Sequence, residues 1–212
     1  MIKLYPIFDV WHYRCLLTMY EIFLQYITDY SSLTVSEEDF KLIQAAFKPK
    51  KLRKRQYLLQ EGDLCKHLSF ITKGALRQYT VDDKGIEHII RFGIERWWMA
   101  DYESFIAHTP SKYNIDTLED AEVLQITNEN MEELKKAVPA INEMVETMNR
   151  RSYVSNQKRI HSSISNTAEN RYTDLMNTYP EFLQRFPQNM IASYLGISPE
   201  TLSRIRKQIT SK

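Results

Sequence analysis

The spacing of apolar residues divides the chain into three consecutive regions. Over residues 19–47, apolar side chains recur every three or four positions, which is the spacing of one helical face. Over residues 57–126 the period falls to two, and polar clusters such as Asp82–Gly85 supply turns between short runs. Helical spacing returns after Asn128. The pattern predicts an α+β fold, in which an antiparallel β-roll of jelly-roll type is followed by helices.

One predicted strand carries two alternating sets of side chains. The first set is Ile86, His88, Ile90 and Phe92, and the second is Glu87, Ile89 and Arg91. Because side chains alternate across a strand, we expect the first set to share one face and the second set to share the other.

A segment free of Gly and Pro follows Pro139, reaches about Ser165, and predicts one long helix. Apolar and small side chains recur along it at alternating steps of four and three, as on a coiled-coil seam: Ile141, Val145, Met148, Ser152 and Ser155. We therefore predict a connecting helix that pairs with its counterpart in a homodimer. The alternative is a helix that packs only on the β-roll of its own chain.

The first 18 residues do not continue smoothly into the helical pattern that begins at Met19. They are apolar and aromatic but are interrupted by polar residues and by Pro6, and they lack the small-residue cleavage site of a signal peptide. We interpret residues 1–18 as a loose arm, or as residues upstream of a native start at Met19. N-terminal mass spectrometry of the native protein would test this interpretation.

The C-terminal segment Phe186–Gln208 predicts two short helices joined by a tight turn. Ile191, Ala192 and Leu195 share one side of the first helix. Gly196 follows them, and glycine can end a helix in the left-handed conformation without Cβ strain.

The second of these helices has one apolar and one polar face. Ser198 is a suitable N-cap, and Pro199 suits the first helical position because its missing N–H costs nothing there. The apolar face consists of Leu202, Ile205 and Ile209, and the polar face of Glu200, Ser203, Arg204 and Lys207. This layout predicts a helix-turn-helix whose second helix enters the major groove of DNA. The alternative is a helical hairpin whose polar face meets only water.

The charge of the chain is unevenly distributed. The whole chain carries 28 Lys and Arg against 27 Asp and Glu, a net charge of +1. Residues 150–212 contain ten of the basic but only four of the acidic residues, so this part has a net charge of +6 and the remainder −5. A basic C-terminal part behind an acidic front favours a sensor joined to a phosphate-binding module.

The cysteine content and the hydropathy exclude several classes of protein. Cys15 and Cys65 are the only cysteines, and two such residues cannot supply the four thiolates of an iron–sulfur cluster or a CxxC pair for zinc or redox chemistry. No run approaches the roughly 20 apolar residues that a bilayer core requires. We expect a cytoplasmic protein without a metal, an iron–sulfur cluster or a membrane partner.

The order of a β-roll, a long helix and a helix-turn-helix resembles the Crp/Fnr family of bacterial transcription regulators, over about residues 30–210. The segment GISPETLSRIRK, which begins at Gly196, is similar to the recognition helix of the family, G-x-S-x-E-T-[VL]-x-R. Parts of residues 58–79, LLQEGD and FITKGALRQY, are similar to its early β-roll strands. The resemblance implies a homodimeric, sequence-specific transcription regulator on a palindromic operator, not an enzyme.

The resemblance also implies roles for residues of the helix Pro199–Gln208. Glu200 and Arg204 would read base edges, because a carboxylate accepts from a cytosine amine and a guanidinium donates a bidentate pair to guanine. Further contacts, to phosphates or at the helix start, are expected from Ser198, Thr201, Ser203, Arg206 and Lys207. The Arg that precedes the Glu in the family is Pro199 here, so the operator should differ.

The predicted sensor pocket departs from the cyclic-nucleotide-binding members of the family. Those members carry Gly-Glu and then Arg-Ser around the phosphate, whereas this chain has Ala100-Asp101 and, further on, Ser111-Lys112-Tyr113. We therefore expect an effector other than cyclic AMP or GMP, or none, and keep a cyclic-nucleotide-responsive regulator as the alternative. The candidate effector pocket consists of Trp97, Trp98, Ala100, Asp101, Tyr102 and Lys112.

These observations divide the chain into four parts. They are an N-terminal extension and helix (1–30), a cyclic-nucleotide-binding-like β-roll (31–136), a connecting and dimerisation helix (137–165) and a helix-turn-helix domain of winged-helix type (166–212). The expected partners are double-stranded DNA, a second copy of the chain, RNA polymerase and an unidentified small effector.

Two other functions remain as alternatives. The first is a cupin-like metal-dependent enzyme with His67, His88 and Glu87 as ligands, although adjacent strand residues such as Glu87 and His88 point to opposite faces. The second is a signalling protein whose DNA module is degenerate, which the intact polar face of the last helix disfavours.

Overall fold

The computed structural model describes the backbone of residues 7–210 and the side chains of residues 18–209. The helices in this part are α1 (Ile7–Tyr30), α2 (Glu37–Ala46), α3 (Tyr102–Ala107), α4 (Asn128–Ala137), α5 (Pro139–Ser165), α6 (Ala168–Thr178), α7 (Phe182–Arg185), α8 (Gln188–Leu195) and α9 (Pro199–Thr210). The strands are β1 (Lys48–Leu52), β2 (Tyr57–Leu59), β3 (Leu68–Lys73), β4 (Leu76–Val81), β5 (Glu87–Gly93), β6 (Trp98–Met99), β7 (Asn114–Thr117) and β8 (Ala121–Ile126). The predicted α+β fold is confirmed.

The strands form two antiparallel four-stranded sheets that together make the predicted β-roll. The order is β1-β8-β3-β6 in one sheet and β2-β7-β4-β5 in the other. Apolar side chains of both sheets, among them Phe70, Leu76, Ile115 and Val123, share one buried core with α1, α4 and the first half of α5. None of the helices in residues 7–210 combines the length and apolar character that a bilayer-spanning segment needs.

Strand β5 departs from the alternation that its sequence predicts. In its register with β4, Ile90 is an extra residue between Ile89 and Arg91, so the strand contains a β-bulge. The bulge reverses the alternation, which leaves Ile89 and Phe92 buried while His88 is exposed. The prediction that one face carries Ile86, His88, Ile90 and Phe92 is therefore wrong.

Helix α1 begins at Ile7 and runs without interruption into the segment where helical spacing was expected to start. Its second half packs on the β-roll through aromatic rings. The ring of Phe23 lies 4.9 Å from that of Phe70 and 5.8 Å from that of Trp98, and the Tyr26 ring lies 4.9 Å from that of Phe70. The interpretation of residues 1–18 as foreign to the native protein lies mostly outside the described side chains.

Helix α5 has a packed first half and an open second half. Its first half buries Ile141 and Met144 in the β-roll core, and the Glu143 carboxylate accepts from the Ser31 hydroxyl at 2.7 Å, which ties α5 to the end of α1. In the single chain, every side chain from residue 149 to residue 161 is exposed. The exposed residues include apolar ones, such as Tyr153 with 66% of its surface accessible.

Helices α6–α9 pack against strand β5 and form a second apolar core with it. The rings of Phe92 in β5 and Phe186 after α7 stack with centroids 4.0 Å apart and planes inclined by 10°. The Ile89 backbone N–H donates to Ser193 Oγ in α8 at 2.9 Å. Every element between residues 166 and 210 is helical, so this part of the domain contains no strand that could form a wing.

Candidate DNA-binding surface and sensor pocket

Helices α8 and α9 form a helix-turn-helix whose turn depends on a left-handed glycine. Gly196 has a φ of +67°, and the N–H of Ile197 donates to the Ala192 carbonyl at 3.0 Å. A Cβ at Gly196 would meet no atom within 4 Å, so the need for glycine is conformational and not steric. Ala192 is completely buried, and its small side chain lets the two helices pack closely.

The N-terminus of α9 is capped by Ser198. The Thr201 N–H donates to Ser198 Oγ at 3.2 Å, as the sequence predicted. The backbone N–H of Glu200 and, next, the Ser198 hydroxyl donate to the Glu200 carboxylate and hold its pKa below the ordinary value. Glu200 is therefore ionised near neutral pH and acts only as a hydrogen-bond acceptor.

The outward face of α9 is polar and open, because Leu202 and Ile205 on its inner face are buried in the second core. An open hollow follows the outward face and is lined by Pro199, Glu200, Ser203, Arg204, Lys207 and Gln208. Arg206 is also exposed, and Thr201 is half-buried near the helix start. Within residues 18–209, no group forms a hydrogen bond or ion pair with the Arg204 guanidinium, so its five donors are available to a ligand.

The dimensions of α9 suit a DNA groove. Its 12 residues span about 18 Å, and a helix with its side chains is about 10–12 Å wide, close to the width of the B-DNA major groove. One carboxylate and several cationic or hydroxyl donors on the same face can hydrogen-bond to base edges and phosphates together.

The predicted sensor residues are not brought together in one pocket. The Trp97 ring lies 5.2 Å from that of Tyr179 in the C-terminal helical domain, which consists of helices α6–α9. Trp98 instead lies in the core under α1, with its ring 5.1 Å from that of Phe70. Tyr102 is exposed, and the exposed Lys112 ammonium lies 3.5 Å from the Glu103 carboxylate.

Asp101 is buried and holds the local backbone instead of facing a cavity. Its carboxylate caps α3 by accepting from the Ser104 N–H at 3.3 Å, and it accepts from the Ser111 hydroxyl at 2.8 Å. The Asp101 carboxylate is thus already engaged by two donors, and the stretch Ser111-Lys112-Tyr113 contains no arginine that could neutralise a phosphate. This arrangement therefore lacks the Arg-Ser pair that cyclic-nucleotide-binding members place around the phosphate.

Ala100 lines a small cavity together with Cys65, His67, Met99 and Ile115. Its volume is about 110 Å³, well below the roughly 300–1,000 Å³ of typical ligand sites, so a nucleotide does not fit into it. Burial raises the pKa of the Cys65 thiol, which keeps this group protonated and unreactive near neutral pH.

The residues of the metal-enzyme alternative are separated in the fold. His67 lies beside the small cavity, whereas His88 bonds to Asp82 at 2.9 Å and Glu87 pairs with Arg77. Among the described residues, no group of three or more His, Cys, Asp or Glu side chains is arranged to hold a metal ion.

Arg185, which the sequence reasoning did not single out, connects the C-terminal helical domain to the β-roll. Its guanidinium donates to Glu95 at 2.6 and 3.1 Å and to Glu119 at 3.0 and 2.7 Å. The two acids are 90 and 66 positions away in the chain, so no local pattern could indicate this contact.

The contacts of Arg77 could not be predicted from local sequence either, because its partners are also distant in the chain. It donates to both oxygens of Asp116 at 2.8 and 2.9 Å and also pairs with Glu87, which joins three strands of one sheet. Its Nη1 atom lies 3.9 Å from the Met190 sulfur in α8.

Sequence comparisons relate this chain to a known domain and to named regulators of transcription. Residues 49–137 match the sequence model of the cyclic nucleotide-binding domain. The chain is 25% identical over 189 residues to the transcriptional activator protein anr of Pseudomonas aeruginosa, an alignment that covers 82% of this chain and 75% of the relative. It is 27% identical over 187 residues to the fumarate and nitrate reduction regulatory protein of Vibrio cholerae, with 82% and 73% covered.

Solved structures show the same fold at low sequence identity. FixK2 from Bradyrhizobium japonicum superposes with a TM-score of 0.62 at 16% identity and covers 78% of this chain and 85% of its own. The c-di-GMP responsive global regulator CLP from Xanthomonas campestris superposes with a TM-score of 0.65 at 15% identity, with 83% and 92% covered.

Proposed function

This chain belongs to the Crp/Fnr family of transcription regulators, and from this premise we propose that it binds DNA sequence-specifically and controls transcription. The observation that carries the proposal is the polar face of α9, which is open and presents an unpaired Arg204 guanidinium above a buried apolar face. The sequence relatives, which are themselves named as transcription regulators, support the same function and not an enzymatic one.

We assign the base-reading contacts to Glu200 and Arg204. Arg204 would donate a bidentate pair to guanine O6 and N7, and the ionised Glu200 would accept from a cytosine amine. The remaining contacts, to phosphates and to the helix start, are proposed for Ser198, Thr201, Ser203, Arg206 and Lys207. Loss of a phosphate contact weakens binding to all sequences equally, whereas loss of a base contact lowers specificity.

A homodimer follows from the family and is supported by the open second half of α5. Pairing of two such helices would cover residues 149–161, which are exposed in the single chain. The two α9 helices would then contact half-sites about one DNA turn, or 34 Å, apart, which requires a palindromic operator.

The remaining assignments extend this proposal. We expect the protein to act in the bacterial cytoplasm, to contact RNA polymerase there, and to divide into the domains proposed at residues 31–136, 137–165 and 166–212. The match of residues 49–137 to the cyclic nucleotide-binding domain favours a cyclic-nucleotide-responsive regulator as the second candidate. The buried Asp101–Ser111 pair argues against it, and isothermal titration with cyclic AMP separates the two: micromolar affinity would favour the second candidate.

Selection from a randomised DNA library at low ionic strength tests the proposed function. We expect enrichment of a palindrome, and the Arg204→Ala variant should lose about 1–3 kcal/mol of discrimination between that palindrome and unrelated DNA. Arg53→Ala is the matched control, because Arg53 is an exposed arginine of the β-roll outside both the α9 face and residues 149–161. Failure to enrich any sequence, or an unchanged ratio for Arg204→Ala, would contradict the proposal.

A further inference from the structure

Arg91 in β5 has no hydrogen-bond or ion-pair partner among the described side chains. Its position lies opposite Gln78 of β4, next to the bulge, and the residue is half-buried. No group within residues 18–209 forms a hydrogen bond or ion pair with it. Partial removal of a charge from water is unfavourable unless another group compensates it, so a compensating anion is expected there.

Arg159 of α5 is held close to this site. Its Nη1 atom donates to the carbonyl oxygen of Ile90 at 2.5 Å, and its guanidinium carbon lies 4.4 Å from the centre of the Tyr194 ring in α8. Burial lowers the pKa of Arg91, and the positive charge of Arg159 lowers it further, although Tyr194 acts in the opposite direction. An arginine stays charged despite such a shift, so two positive charges adjoin each other at the junction of β5, α5 and α8.

The carboxylates of the same region are already engaged. Asp29 pairs with Arg96, and Glu95 and Glu119 both pair with Arg185. Glu146 is the last acidic residue of α5, and the second half of the helix carries only basic charges: Arg150, Arg151, Lys158 and Arg159. The second half of a paired α5 would therefore bring only further positive charge to the junction.

We propose that Arg91 and Arg159 form a binding site for a small phosphate-bearing anion at this junction. The planar fork of a guanidinium matches two oxygens of a phosphate, and two forks supply the charge for a dianion. This site is distinct from the positions around Asp101 and Ser111, which correspond to the phosphate-binding residues of cyclic-nucleotide-binding members.

The position of the site connects three parts of the molecule. Arg159 contacts β5 through Ile90 and α8 through Tyr194, so an anion held there would fix α5 against both the β-roll and the DNA-binding domain. It would also reduce the repulsion between the basic halves of two paired α5 helices. Any change in operator affinity that results from this rests on the proposed DNA-binding function. The binding of the anion itself does not.

Isothermal titration of the full chain without DNA, in a buffer free of polyvalent anions, tests the site. The probe is inorganic pyrophosphate, with inorganic phosphate and succinate as further arms. We expect one pyrophosphate per chain, weaker phosphate, and little succinate binding. Both Arg91→Gln and Arg159→Gln should weaken pyrophosphate binding at least tenfold, since each removes a charge-assisted bidentate contact. Arg150→Gln, from the same basic stretch of α5, should bind as the wild type does.

Several results would overturn the proposal. Absence of pyrophosphate binding would do so, and so would equal weakening by Arg150→Gln, which would indicate general attraction to a basic helix. If succinate bound as tightly as pyrophosphate, the assigned phosphate chemistry would be wrong. If Arg91→Gln dissociated the dimer in the anion-free buffer, a second copy would be the group that neutralises Arg91. Thermal unfolding of each variant checks that the fold is retained. If the protein bound pyrophosphate but no DNA, the anion site would be supported and the proposed function would be refuted.

Discussion

The contact of Arg185 with Glu95 and Glu119 gives a quantitative prediction about how the DNA-binding domain is held. Four hydrogen bonds of 2.6–3.1 Å join one guanidinium to two carboxylates. The Arg185 side chain is 23% exposed, and the two acids are 38% and 39% exposed. Charge-assisted hydrogen bonds contribute about 1.5–3 kcal/mol when they are well shielded, but exposed ion pairs contribute less than about 1 kcal/mol. For this partly exposed pair of bidentate contacts, we expect a total of about 2 kcal/mol.

The substitution Arg185→Ala removes this contact and leaves the aromatic contacts of Phe92 with Phe186 in place. A loss of about 2 kcal/mol corresponds to a roughly thirtyfold increase in the opening of α6–α9 from the β-roll. Hydrogen–deuterium exchange measures this opening directly, because the amides of these helices exchange when the domain detaches. Exchange of α1 and of the β3–β8 pair, which belong to the other core, should change little.

The control is Arg150→Ala. Arg150 is an exposed arginine of α5, and within residues 18–209 its guanidinium donates only to the Thr147 hydroxyl. Equal exchange of α6–α9 in wild type and Arg185→Ala would show that the apolar contacts alone hold the domain. Faster exchange throughout the chain would indicate instead that the two cores unfold as one unit.

Two further predictions concern local conformation and pH. Gly196→Ala should lower the free energy of unfolding by about 1 kcal/mol in urea titrations, because alanine is strained at φ +67°, whereas Gly196→Asn should cost less. A cost for alanine no larger than for asparagine would contradict this reasoning. Burial raises the pKa of Glu95, but the bonds to Arg185 and the backbone N–H groups of Glu95 and Gly74 together outweigh burial, so the net pKa is lowered. The ionised Glu95 therefore stabilises the folded state fully above its unfolded pKa, about 4.3, and this contribution is lost as the pH falls below that value. Stability should fall less steeply between pH 5 and pH 3 in Arg185→Ala than in wild type, and equal slopes would refute this role of the pair.

Features that depend on neighbouring residues could be predicted from the sequence. The helix-turn-helix elements follow from the Ser198 cap, the left-handed Gly196 and the spacing of Leu202 and Ile205, all of which act within one or two turns of helix. The β-roll follows in the same way from period-two spacing and turn residues, and the long helix α5 from a stretch without Gly or Pro.

The tertiary structure decided the features that join distant parts of the chain. The bulge at Ile90 arises from the register of β5 against β4, and it changed which side chains are buried. Trp97 and Trp98 are adjacent in sequence but lie in two different cores, so the pocket predicted around them does not form as one site. Arg185 contacts two acids, whereas Arg91 contacts none within residues 18–209, because long-range packing determines which charges meet. Local spacing contains no information about such pairs, whereas it contains almost all that is needed to form a capped, two-faced helix.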